Sequence, residues 1–106
     1  MTTNWNANPY YSPQECGLEL IADINFTDNY DFDMIAVWRN EDGELFWACD
    51  AGCSCPCPFE NYTSLDSLDR LSNWEYFEKT VTGRPNYTRA DVGAFLREVD
   101  AAYRGR

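Results

Sequence analysis

At 106 residues the chain has the length of one domain with a single core. Its 44% hydrophobic and 16% aromatic content excludes a disordered chain, and 8 basic residues against 18 acidic ones, a formal charge of -10, tell against docking on a nucleic-acid backbone. No uninterrupted apolar run reaches the roughly 18 residues a membrane span needs, so no span is expected. The start, Met1 to Asn6, has neither a basic region nor an apolar stretch, and no secretion signal is expected either.

The charge is unevenly placed. Residues 1–69 hold thirteen acids and one base, Arg39, for -12; residues 70–106 hold five acids and seven bases, for +2. One strongly acidic face and one mixed face follow. The acidic face, with Asp31, Asp33 and Glu44 among its members, is read as a solvated surface or as a dock for a basic partner. A DNA mimic would carry acids in both halves, which the C-terminal part does not.

In chain order, residues 1–16 are rich in Asn, Pro and Tyr and lack a period, with turn starters at Asn8-Pro9 and Ser12-Pro13. They read as an N-terminal arm whose Trp5, Tyr10 and Tyr11 pack onto a single domain spanning 17–106. Leu18, Leu20, Ala22 and Ile24 alternate with Glu19, Ile21 and Asp23, the pattern of a half-buried strand. Phe32 to Trp38 is apolar on both faces and predicts a central strand. Asn40-Glu41-Asp42-Gly43 predicts a hairpin turn, and Glu44 to Cys49 the returning strand.

The period then changes. Leu65, Leu68 and Leu71 recur at the spacing of a short helical turn, and Ser72-x-x-Glu75 reads as a capping box opening a helix with Trp74, Phe77 and Val81 on one face. Gly83 and Pro85 end it. Thr88-x-x-Asp91 caps a last helix striped by Val92, Phe95, Leu96, Val99 and Tyr103. The expected fold is therefore α+β: a three-stranded, mainly antiparallel sheet from the N-terminal half, packed against two to three C-terminal helices.

One segment stands out chemically. Cys49, Cys53, Cys55 and Cys57 fall within nine residues, and Pro56 and Pro58 favour extended conformations before them. Alternate residues of an extended chain share a side, so a thiolate cluster for zinc is conceivable. Yet zinc sites draw C-x(2–4)-C pairs from two segments, the chain has no His, and Cys16 is the sole distant sulfur. An odd cysteine count without a secretion signal argues against disulfides. A reactive thiol needs a nearby cation, where the sequence offers Asp50 and Glu60. The segment reads as a structural crossing, with no cofactor expected and zinc through Cys49, Cys53, Cys55 and Cys57 as the alternative. Without His there is no triad chemistry, and neither a dinucleotide fingerprint nor a phosphate loop occurs. Asp28, Asp31 and Asp33 lack the Gly and terminal Glu of a calcium loop and read as turn acids.

Pro9-Tyr10-Tyr11-Ser12-Pro13, Gly17-Leu18, Phe32-Asp33 leading to Val37-Trp38, and Asp50-x-Gly52-Cys53-Ser54-Cys55-Pro56-x-Pro58-Phe59-Glu60-x-Tyr62 together resemble a family of small actinobacteriophage proteins of unknown function. The resemblance covers roughly residues 9–70 and is most specific from Asp50 to Tyr62. It implies Cys at the positions of Cys53 and Cys55 and variable residues at Cys16, Cys49 and Cys57, hence no shared four-sulfur site. It supplies no activity.

The expected function is that of a small acidic phage accessory protein, not an enzyme, which binds a host or viral protein in the host cytoplasm. A minor virion component or a small structural-zinc protein are the alternatives. Exposed loops on a rigid sheet carry most binding, so contact is expected at the arm, residues 1–16, and in the loop at Asp50, Gly52, Cys53, Ser54, Cys55, Pro56, Pro58, Phe59, Glu60 and Tyr62.

Overall fold

The computed structural model describes residue 5 and residues 7–26, 32–52, 58–60, 62–84 and 90–105. Within them the chain runs β1 (Leu18–Asn25), β2 (Phe32–Asn40), β3 (Leu45–Gly52), β4 (Asp69–Arg70), α1 (Trp74–Thr82) and α2 (Ala90–Arg104), with single 3-10 turns at Pro13–Cys16 and Leu65–Ser67. The strands form one antiparallel sheet in the order β1-β2-β3-β4. The α+β class and the central place of β2 are as the sequence predicts; among the described residues the strand count is four rather than three.

β2 carries the core on both sides. Phe32, Met34, Ala36 and Trp38 face one layer, while Ile35 and Val37 face the other. The second layer is closed by α1 and α2 through Phe77, Val81, Val92, Phe95 and Val99, with α2 lying mainly over β1. The first is closed without regular helices, by the arm (Trp5, Tyr10) and by residues of the 58–68 stretch (Phe59, Tyr62, Leu65, Leu68). Of the arm's aromatic residues, Tyr11 departs from expectation: it stays 59% exposed and touches Tyr10 edge-on.

β1 also departs from simple alternation. Leu20 pairs with Trp38 and Ala22 with Val37, so Ile21 is an extra residue, a bulge. One inserted residue exchanges the faces of everything after it. Leu18 and Leu20 therefore pack on the arm side, while Ile21, Ala22 and Ile24 pack on the helix side. The four residues expected on one face are split in pairs.

The hairpin forms as read. The Asn40 side-chain oxygen accepts from the amides of Asp42 (3.0 Å) and Glu44 (2.8 Å), and Gly43 takes φ 85°. The fourth strand is short and charged, which hid it: Asp69 and Arg70 pair with Trp47 and Phe46, both of its residues being exposed. The leucine turn exists only as Leu65–Ser67. Because β4 follows it, Leu68 and Leu71 enter opposite layers instead of sharing a helical face. α1 begins one residue later than the capping box predicts. Asn73 is the cap, its side-chain oxygen accepting from the Tyr76 amide at 3.1 Å, and Glu75 sits in the first turn, where a carboxylate suits the helix dipole. Pro85 and Thr88 lie outside the described residues.

Gly93 lies in the interior of α2, where glycine costs about 1 kcal/mol relative to alanine. An added Cβ would meet only the movable end of Arg97, at 3.4 Å. Gly93→Ala should therefore raise stability by about 1 kcal/mol in urea titration. A lowered midpoint would mean that Arg97 cannot yield.

Candidate functional site

The distinctive string begins where β3 leaves the sheet. Beyond Trp47 this strand has no β4 partner, so its outer edge would be an open template for other strands. Two side chains of the string close it. The Tyr62 hydroxyl donates to the Cys49 carbonyl at 2.7 Å. Asp50 accepts from the Ala51 amide at 3.0 Å through one oxygen and from the Phe59 amide at 2.7 Å through the other. The second bond brings the two ends of the intervening stretch together, and its charged acceptor makes it stronger than a neutral one.

Phe59 is the hub. It is fully buried, with φ 62°, a left-handed conformation that a phenylalanine adopts only when its surroundings hold it there. What holds it is a ring cluster: Trp38 at 5.3 Å, Tyr62 at 5.4 Å and Tyr10 at 5.7 Å between centroids. The arm completes the cluster from outside. The Trp38 indole N–H donates to the Pro9 carbonyl at 2.9 Å, the Asn8 amide to the Pro58 carbonyl at 2.9 Å, and the Tyr10 hydroxyl to Asp23.

The ten residues expected to make contact thus divide. Asp50, Phe59 and Tyr62 hold the fold, and Phe59 has no surface left to offer a partner. Gly52 ends β3 opposite Phe32, Pro58 is half-buried against the arm, and Glu60 is exposed. Cys53, Ser54, Cys55 and Pro56 lie outside the described residues, as does Cys57 of the zinc alternative. Its remaining member, Cys49, packs on the helix side of the sheet, whereas Cys16 packs on the arm side. The sheet separates these two sulfurs. Among the described residues no group of three or more His, Cys, Asp or Glu is placed to hold a metal.

Two acids of the expected acidic face are paired. Asp33 forms an ion pair with Arg84 at 2.6 Å, both about a quarter exposed, and Glu44 pairs with Arg70. The Arg84 guanidinium also lies 5.8 Å from the Phe26 ring centre. Asp33 ties the chain just past α1 to β2, and Glu44, next to the start of β3, holds Arg70 of β4. Asp31 lies outside the described residues. Burial pushes the neighbouring Cys49 thiol up, and Arg84 beside it offsets this only in part.

Burial likewise raises Tyr10, helped by its bond to Asp23 and that carboxylate's charge, and it raises Tyr62, helped by the charge of Asp50. A group raised on folding contributes stability below its unfolded pKa and loses it as the pH climbs through the folded value. The fold should therefore weaken above about pH 10, the ordinary tyrosine value. The double variant Tyr10→Phe, Tyr62→Phe should show a shallower alkaline decline in denaturant midpoint. An identical slope would assign that decline to other groups.

Nothing in the sequence reveals that Asn8 fastens to Pro58 of the string or that the Pro9 carbonyl accepts from Trp38 of β2. The Asn8-Pro9 turn starter and the Pro9–Pro13 motif are visible in the sequence, but the partners of their amide and carbonyl groups are not.

The fold is that of a small α+β domain whose sheet is closed by helices on one side and by an arm-and-string layer on the other. The chain belongs to the family described as Domain of unknown function (DUF7574), which it matches over residues 7–104. Neither the curated proteins nor the solved structures contain a match. Among the described residues no helix is long and apolar enough to cross a membrane.

Proposed function

We propose that the protein is a non-enzymatic accessory protein of an actinobacterial phage that binds a host or viral protein, working in the host cytoplasm, with residues 53–57 making the specific contact. The phage origin rests on the resemblance of the Asp50–Tyr62 string and the arm. The binding role rests chiefly on one observation: Asp50, Phe59, Tyr62 and Asn8 lock both flanks of that segment to the sheet. Fixing both ends of a contact segment lowers the ordering entropy that the segment itself loses when a partner docks on it, which suits recognition. The absence of His from the sequence removes the usual general base and favours binding over catalysis.

The test is capture from an actinobacterial lysate by immobilised protein, comparing the native chain with a variant whose residues 53–57 read Gly-Ser-Gly-Ser-Gly. A partner retained by the first and reduced at least tenfold with the second is the expected result. Equal capture by both overturns the assignment of contact to this segment.

A further inference from the structure

A groove lies beside the string, lined by Trp5, Ala7, Asn8, Glu60, Tyr62 and Thr63. Its two walls are fastened together: the Trp5 amide donates to the Thr63 carbonyl at 2.6 Å, and Asn8 to Pro58. An indole and a phenol ring line it. The Tyr62 hydroxyl proton is already committed to Cys49, so the ring presents its π system and an oxygen that can only accept. The Glu60 carboxylate is exposed and meets no ion-pair or hydrogen-bond partner among the described residues. The segments around the groove, 5–17 and 58–68, contain Glu15, Glu60 and Asp66 and no lysine or arginine at all. No described base lines the groove; Arg39 of β2 stands beside Gln14 and Gly17 in a separate depression.

Aromatic rings attract cations to their faces, and a carboxylate beside them completes a seat for one. Glu60 is the one charged residue among the groove's described lining, so the complementary occupant is positive. A guanidinium fits better than an ammonium, because its plane can stack on indole while its edge bonds the carboxylate.

We propose that this groove receives an arginine side chain from a basic segment of the partner protein. The inference rests on the protein-binding reading above and deepens it, naming a second contact outside residues 53–57. Trp5 and Tyr62 stack on the guanidinium and Glu60 pairs with it.

The probe is N-acetyl-arginine N-methylamide, titrated into the full 15N-labelled chain by NMR. Saturable shifts of the Trp5 indole N–H and the Thr63 amide are expected, with a Kd on the order of millimolar. Glu60→Gln, an exposed change that leaves the fold intact, should weaken binding about fivefold or more. Trp5→Phe should retain most of it and Trp5→Ala should not. Absent shifts, an equal response to the lysine analogue, or binding undiminished in Glu60→Gln overturns the proposal. The two readings fail separately. Loss of the groove's response alongside a capture that still depends on residues 53–57 removes only the arginine seat.

Discussion

Phe59→Ala is expected to cost about 3–5 kcal/mol, the range for truncating a fully buried aromatic ring. Few positions in the chain should be as sensitive. The ring is enclosed by Trp38, Tyr10 and Tyr62, three side chains from three separate segments, so its removal leaves a cavity that no single movement can fill. Alanine inherits the left-handed backbone without the contacts that hold it. Phe59→Leu should lie between the two, because it restores volume but not ring geometry. Urea-induced unfolding followed by tryptophan emission measures the series. A Phe59→Ala midpoint equal to that of the native chain would contradict the hub role.

Removal of residues 1–11 should be comparably severe, costing about 5 kcal/mol or more. Deleting Pro9 strands the buried Trp38 indole N–H, which costs about 1–3 kcal/mol. Pro9, itself fully buried, and the apolar parts of Trp5 and Tyr10 are lost as well, at about 1.5–3 kcal/mol for each side chain fully uncovered. A domain of this size has about 5–15 kcal/mol in total. The truncated chain should therefore show red-shifted tryptophan emission and poorly dispersed amide resonances at 25 °C. Native-like dispersion would show that the arm is an appendage rather than one layer of the fold.

That dependence could be read only partly in the sequence. β2, the hairpin at Asn40–Gly43 and the apolar stripes of α1 and α2 were legible because their periodicity or turn chemistry is local. β1 misled for a physical reason: residues 18, 20, 22 and 24 keep a strict period of two, and the bulge that splits them is signalled only by Ile21, an apolar side chain where a polar one was due. β4 was illegible because two charged residues at a sheet edge have no hydrophobic pattern. The capping motif misplaces the start of α1 by one residue because Asn73, an equally good cap, takes the position instead of Ser72 and accepts from the Tyr76 amide.

In the site, the string itself was visible from Asp50 to Tyr62, but the division of labour within it was not. Asp50, Phe59 and Tyr62 look like surface residues of a polar crossing until their hydrogen-bond partners 9 and 13 residues away are known. The charge asymmetry was also legible in sum, yet Asp33 and Glu44 turned out to be spent on Arg84 and Arg70, two of the seven bases in the C-terminal part.

The central claim is that the flanks of the string build the fold while residues 53–57 make the contact. It is tested most directly by measuring partner capture and thermal unfolding together on the Gly-Ser-Gly-Ser-Gly replacement of 53–57. The expected result is a midpoint within a few degrees of the native chain, equivalent to under about 1 kcal/mol for a domain of this length, with capture lost. A variant that unfolds as Phe59→Ala does, or one that captures as well as the native chain, would contradict it.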